Sequence, residues 1–127
     1  MSQANPYAKY TNNNVYTASQ EELTLMLYEG ALKFINQAIV ALQNKELAKA
    51  NDLIIRVEDI VQEFQLTLNR EFEISKQFEV LYDYMYRRLI DANISKDIVA
   101  LMEVRDYLRE FRDMWKEAMK LARIAGA

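Results

Sequence analysis

The stretch SQEELTLMLYEGALKFINQAIVALQN, residues 19–44, decides the fold. Ser19 and Glu22 match a capping box, in which the serine hydroxyl takes an orphan backbone N–H and the glutamate three residues on reaches back to the cap. Leu23, Met26, Leu27, Ala31, Phe34, Ala38 and Leu42 then recur at three- and four-residue spacing. Such a row is one apolar stripe along a helix that runs to about Asn44.

Downstream, the pattern repeats. Leu47, Ala50, Ile54, Val57, Val61, Phe64 and Leu68 form the stripe of a second helix, with Leu53, Ile55 and Ile60 as extra apolar positions beside it. The link at Asn44-Lys45 is so short that the first two helices must be antiparallel neighbours. Beyond Asn69-Arg70, the row Ile74, Phe78, Leu81, Met85, Leu89 and Ala92 marks a third helix ending near Asn93. Ser95 or Asp97 can cap a fourth, whose row is Leu101, Val104, Leu108, Phe111, Trp115, Ala118 and Ala122. Four helices of about 20 residues or more, each roughly 30 Å long, joined by short loops predict an antiparallel up-down four-helix bundle.

Upstream, residues 1–18 are polar and asparagine-rich, and hold the only proline, yet carry Tyr7, Tyr10, Val15 and Tyr16. A wholly solvated tail is poor in aromatics. The segment therefore reads as an arm that docks part of the time and has room for a short extra helix. The expected division is an arm or lid over residues 1–18 and a bundle domain over 19–127.

Composition narrows the chemistry. One domain of 127 residues can bury a sizeable core, and only two Gly and one Pro argue against turn-rich β architectures. With no Cys and no His, thiol nucleophiles, disulfides, Cys/His zinc sites, His-dependent triads and Glu-x-x-His di-iron centres all lack their residues. Gly30 and Gly126 are too far apart for a phosphate-cradling loop. A net charge of −3 offers nucleic acid nothing. No apolar run approaches the roughly 20 uncharged residues of a membrane span, and the start has no basic region followed by an apolar one. The expected protein is cytoplasmic, without cofactor, and a binder rather than an enzyme.

Several rows exceed what one core uses. The fourth helix carries Tyr107, Met114 and Leu121 beside its core row, the second offers Leu53, Ile55 and Ile60, and the third adds Tyr82, Tyr84 and Tyr86. Surplus apolar surface of this kind marks a partner site, and flexible Met side chains such as Met114 suit it. By contrast, Arg105, Arg109 and Arg112 alternate with Glu103, Asp106, Glu110 and Asp113, the pattern of a salt-bridged solvated face. Asp52, Glu58, Asp59 and Glu63 read as solubility.

The arm and first helix together read Asn5-Pro6-Tyr7, Tyr10, Asn14-Val15, Thr17-Ala18-Ser19, Glu22-Leu23, Met26-Leu27-Tyr28 and Gly30. This resembles the FliS family of flagellin export chaperones. The likeness continues through Leu81-Tyr82-Asp83-Tyr84-Met85, Ala92-Asn93, Glu103-Val104 and residues 108–118, in family order. Gln20 stands where the family often has Pro, and Glu71-Phe72 where it often has a Gly pair, a departure that suggests a stiffer link and no change of function.

The resemblance implies a chaperone that wraps the disordered C-terminal segment of flagellin, prevents premature polymerisation and hands it to the flagellar type III export apparatus. It also implies that the arm lies in the cargo groove when flagellin is absent. The expected partner-binding residues are Tyr7, Tyr10, Val15, Ile55, Tyr84, Tyr107 and Met114, with a homodimer as a further use of the same surface in the cargo-free state. The competing reading is a regulatory or adaptor bundle that binds a folded partner.

Overall fold

The capping box forms as its residues dictate: the backbone N–H of Ser19 donates to Glu22 Oε1 at 2.9 Å, and that of Glu22 donates to Ser19 Oγ at 3.1 Å. The Ser19 backbone N–H and then the Ser19 hydroxyl, with Arg123 nearby, hold the Glu22 carboxyl below the usual carboxylate range. The computed structural model describes residues 19–126. They form four helices, α1 (Gln20–Gln43), α2 (Leu47–Thr67), α3 (Ser75–Ser95) and α4 (Ile98–Gly126). Each lies against its neighbours in chain order and α4 returns to α1, closing the antiparallel bundle. Asp97 supplies the cap of α4, its Oδ1 accepting from the N–H groups of Val99 at 2.9 Å and Ala100 at 3.3 Å.

The core holds the predicted rows where the helices overlap: Ile54, Met85, Leu89, Leu101 and Leu108 are fully enclosed, and so is Ile35, which lies off the row predicted for α1. Each contributes about 1.5–3 kcal/mol by leaving water. Three expectations need correction. Leu53, Ile60 and Tyr82 are not surplus but buried, because α2 and α3 each face two neighbours and need a wider stripe than one contact would. Leu47 and Ile74, read as core, are half exposed at helix starts, where no neighbour overlies them. Ala118 and Ala122, also read as core, are exposed, because α4 has 29 residues against 21 in α3 and continues past its neighbours.

Two further readings are refined. By length and composition alone, α1 is apolar enough to cross a membrane, but half of the qualifying stretch is buried inside the bundle. The acidic residues of α2 are not all solvated: burial, and then Asp59, lift the Glu58 carboxyl above its usual range. The mixed-charge face of α4 is paired, though mainly between adjacent residues rather than at the expected three- and four-residue spacing: Arg105 lies 3.1 Å from Asp106 and Arg112 3.0 Å from Asp113, with Arg109 4.0 Å from Asp106.

Both tight turns lie at one end of the bundle and end their helices in the same way. After α1, Glu46 N–H donates to Ala41 O and Lys45 N–H to Leu42 O; after α3, Asp97 N–H donates to Ala92 O. These are Schellman closures, which place one residue in the left-handed region that glycine favours. Lys45 (φ 60°) and Lys96 (φ 54°) occupy it instead. Lys45→Gly is therefore expected to raise unfolding stability by about 0.5–1 kcal/mol in urea melts. Lys96→Gly should gain less, because it also loses the 2.7 Å bond from Lys96 Nζ to Asn93 Oδ1.

Candidate functional site: an aromatic-floored groove

The opposite end of the bundle is built more loosely. There α2 and α3 are joined by residues 68–74 rather than by a tight turn, and the link is held from within. Arg70 donates from Nη2 to Gln65 O at 3.2 Å and to Glu79 Oε2 at 3.0 Å, while Asn69 Oδ1 accepts from Glu71 N–H at 3.0 Å. The wider link keeps the ends of α2 and α3 from closing over the core, leaving a cavity of about 610 Å³ between the starts of α1 and α3, the end of α2 and the second half of α4.

Its floor is a chain of rings, one or two from each helix. Tyr28 stacks on Phe64 at 4.3 Å between centroids, and Phe64 on Tyr82 at 5.5 Å. Phe111 meets Tyr82 edge-on at 5.9 Å and Phe78 at 5.7 Å. The hydroxyls of Tyr28 and Tyr82 are 2.8 Å apart and hydrogen-bonded to one another. Burial, and for Tyr28 the neighbouring Tyr82 as well, push both phenols above the usual tyrosine range, so both stay protonated. Trp115 forms one wall and pins α4 to the first turn of α1, its indole N–H donating to Glu21 O at 2.9 Å.

The lining is almost free of charged residue types: among the described residues that border the cavity, Glu21 is the only Asp, Glu, Lys or Arg. Apolar side chains continue along the overhang of α4, where Met114 (48 % exposed), Ala118, Leu121 and Ile124 are uncovered. Among the described residues, Glu21 has no second carboxylate and no Lys or Arg beside it on the cavity border, and no cluster of three or more carboxylates could hold a metal ion. The geometry suits an apolar helical segment that needs a partner for its hydrophobic face.

Of the residues singled out by sequence, Met114 borders this groove. Tyr84 and Tyr107 meet each other instead, ring centroids 6.2 Å apart, on the seam between α3 and α4. There the Tyr84 hydroxyl donates to Glu103 Oε2 at 2.7 Å, and Arg88 Nε lies 2.8 Å from Glu103 Oε1. The Tyr84 hydroxyl and the Arg88 guanidinium hold the Glu103 carboxyl below its usual range. The polar end of Tyr84 is thus already engaged within the bundle. Ile55 is 41 % exposed on α2 and does not border the cavity. Tyr7, Tyr10 and Val15 lie outside the described residues.

Sequence reading missed Tyr28, Tyr82 and Trp115 as site residues: Trp115 belongs to the core row of α4, Tyr82 stands among the surplus positions of α3, and Tyr28 enters only through the family motif. It also set aside Phe72, whose replacement of a small residue looked irrelevant to function; Phe72 is 63 % exposed and borders the groove. One signal was countable beforehand, namely that the fourth apolar row runs on after its neighbours have ended.

Comparison with known proteins gives a consistent result. The family model described as flagellar protein FliS matches residues 3–122. The flagellar secretion chaperone FliS of Bacillus subtilis (strain 168) is 48% identical over 119 residues, covering 94% of this chain and 90% of that protein. Its counterpart in Escherichia coli (strain K12) is 33% identical over 108 residues, covering 83% and 79%. A crystal structure of a flagellar chaperone from bacteria superposes with a TM-score of 0.75 over 90% of this chain and 94% of that one; at 18% identity it bears on the fold alone.

Proposed function

The chain belongs to the FliS family, and from that membership we propose that it is a flagellar export chaperone whose groove receives the C-terminal segment of flagellin. The observation that carries this reading is the nearly uncharged, aromatic-floored groove continued by the uncovered apolar face of α4. An amphipathic segment, disordered on its own, gains an ordered helix by burying its apolar face there, so binding and folding occur together. Covering that face also removes the surface through which flagellin would polymerise.

The protein works by binding and catalyses nothing. It acts in the cytoplasm and delivers its cargo to the flagellar type III export apparatus. Residues 1–18 act as a removable lid over the bundle domain, with Tyr7, Tyr10 and Val15 covering apolar surface in the free protein. Where the lid fails to cover it, a second copy of the chain does, as a cargo-free homodimer.

Trp115, the only tryptophan and a wall of the groove, provides the readout. A synthetic C-terminal flagellin peptide is expected to shift its fluorescence and to bind about as tightly as whole flagellin monomer. An adaptor for folded partners would need the intact protein and ignore the peptide. Deleting residues 1–16 should tighten peptide binding and increase self-association, measured by titration and sedimentation; unchanged values for both would remove the lid.

A further inference from the structure

The floor of the groove contains a hydrogen-bond donor with no acceptor among the described residues. Tyr28 and Tyr82 are 5% and 6% exposed, and their hydroxyls share one bond at 2.8 Å. Each hydroxyl carries one proton and can accept two. In a pair joined by one bond, one proton is used and the other is left over. Among the described residues neither hydroxyl has another hydrogen-bond partner. Buried polar hydrogens are rarely left so, because an unmade bond forfeits the desolvation of the group. Both tyrosines border the cavity, so whatever fills it can supply the acceptor.

We propose that the Tyr28–Tyr82 pair is a specificity-determining contact of the groove, donating one hydroxyl hydrogen bond to a neutral oxygen on the apolar face of the docked segment, carried by a Ser, Thr, Asn or Gln side chain. This rests on the groove being the flagellin site. Backbone carbonyls of a docked helix are already bonded within it, except in its last turn, which leaves a side chain as the acceptor. A carboxylate does not fit, because no Lys or Arg is among the described residues bordering the cavity and the charge would be buried unpaired. The pair would thus select, among apolar helices, one with a polar residue in register, since a purely apolar helix leaves the donor unsatisfied.

The test uses the full chain and the C-terminal flagellin peptide, with each Ser, Thr, Asn and Gln of the peptide changed in turn to Ala. Tyr28→Phe and Tyr82→Phe alone each leave one hydroxyl, whose proton is then free for the cargo, so each should weaken binding by about threefold or less. The double variant removes the donor and should weaken it by about tenfold. One peptide substitution should cost about tenfold against wild type and almost nothing against the double variant. Melting curves check folding, and little change is expected because both hydroxyls are replaced by an apolar group of the same shape.

The proposal is overturned if the double variant binds the parent peptide like wild type, or if no peptide substitution couples to the pair. Should the double variant melt early, the wild-type scan decides: no Ser, Thr, Asn or Gln whose loss weakens binding also overturns it. A parent peptide that fails to bind wild type overturns the chaperone reading itself, a result distinct from binding without coupling.

Discussion

Met114→Glu is expected to lose flagellin C-terminal peptide binding by about 100-fold, while melting within a few degrees of the parent. Met114 borders the groove and is 48% exposed, so in the free chain the new carboxylate remains in water. Under a docked apolar helix it would be stripped of water with no cation among the described bordering residues to pair with. Burying an unpaired charge costs several kcal/mol, and 2.7 kcal/mol already corresponds to about 100-fold. Surface changes away from such contacts usually alter stability by less than about 0.5 kcal/mol. Met114→Leu should retain binding, and so should Tyr84→Phe, whose ring lies on the α3–α4 seam and whose hydroxyl serves Glu103. Titration followed by Trp115 fluorescence and checked by calorimetry measures all three. If Met114→Glu binds like the parent, cargo does not lie against the second half of α4.

Leu89→Ala should show the opposite signature, a large loss of stability with the groove chemistry intact. Leu89 is fully enclosed, and its removal deletes buried apolar surface and leaves a void that neighbouring helices fill only in part. Such substitutions cost about 2–5 kcal/mol, a large share of the 5–15 kcal/mol that holds a typical domain together. Guanidinium unfolding should show a lower midpoint at an unchanged slope. Val80→Ala, on the same helix but 67% exposed, is the control and should stay within about 0.5 kcal/mol. Equal losses for both variants would mean that the rotation of α3 about its axis differs from the one described.

The four helices, their order and their antiparallel sense were present in the chain itself. Capping residues, the three- and four-residue spacing of apolar positions and the length of links are local quantities, and Ser19, Glu22 and Asp97 act as their types predict. The family, too, was legible, because its motifs are runs of neighbouring residues. The candidate site was legible only in part. Periodicity places a residue on a face of its helix but does not tell which faces receive a neighbour. That depends on how far each helix is turned and how far it overlaps the others.

Met114, on the second apolar row of α4, borders the groove. Ile55, Tyr84 and Tyr107 looked equally available, yet they do not border the groove. The Tyr84 hydroxyl is taken by Glu103, a residue of another helix. Leu53, Ile60 and Tyr82 appeared spare until two neighbours closed on their helices, while Ala118 and Ala122 appeared covered until α4 proved longer than the helices beside it. Short-range physics thus made the helices and listed the apolar rows. Only tertiary contact decided which rows became core and which remained a groove, because burial is a property of pairs of helices and no single helix contains it.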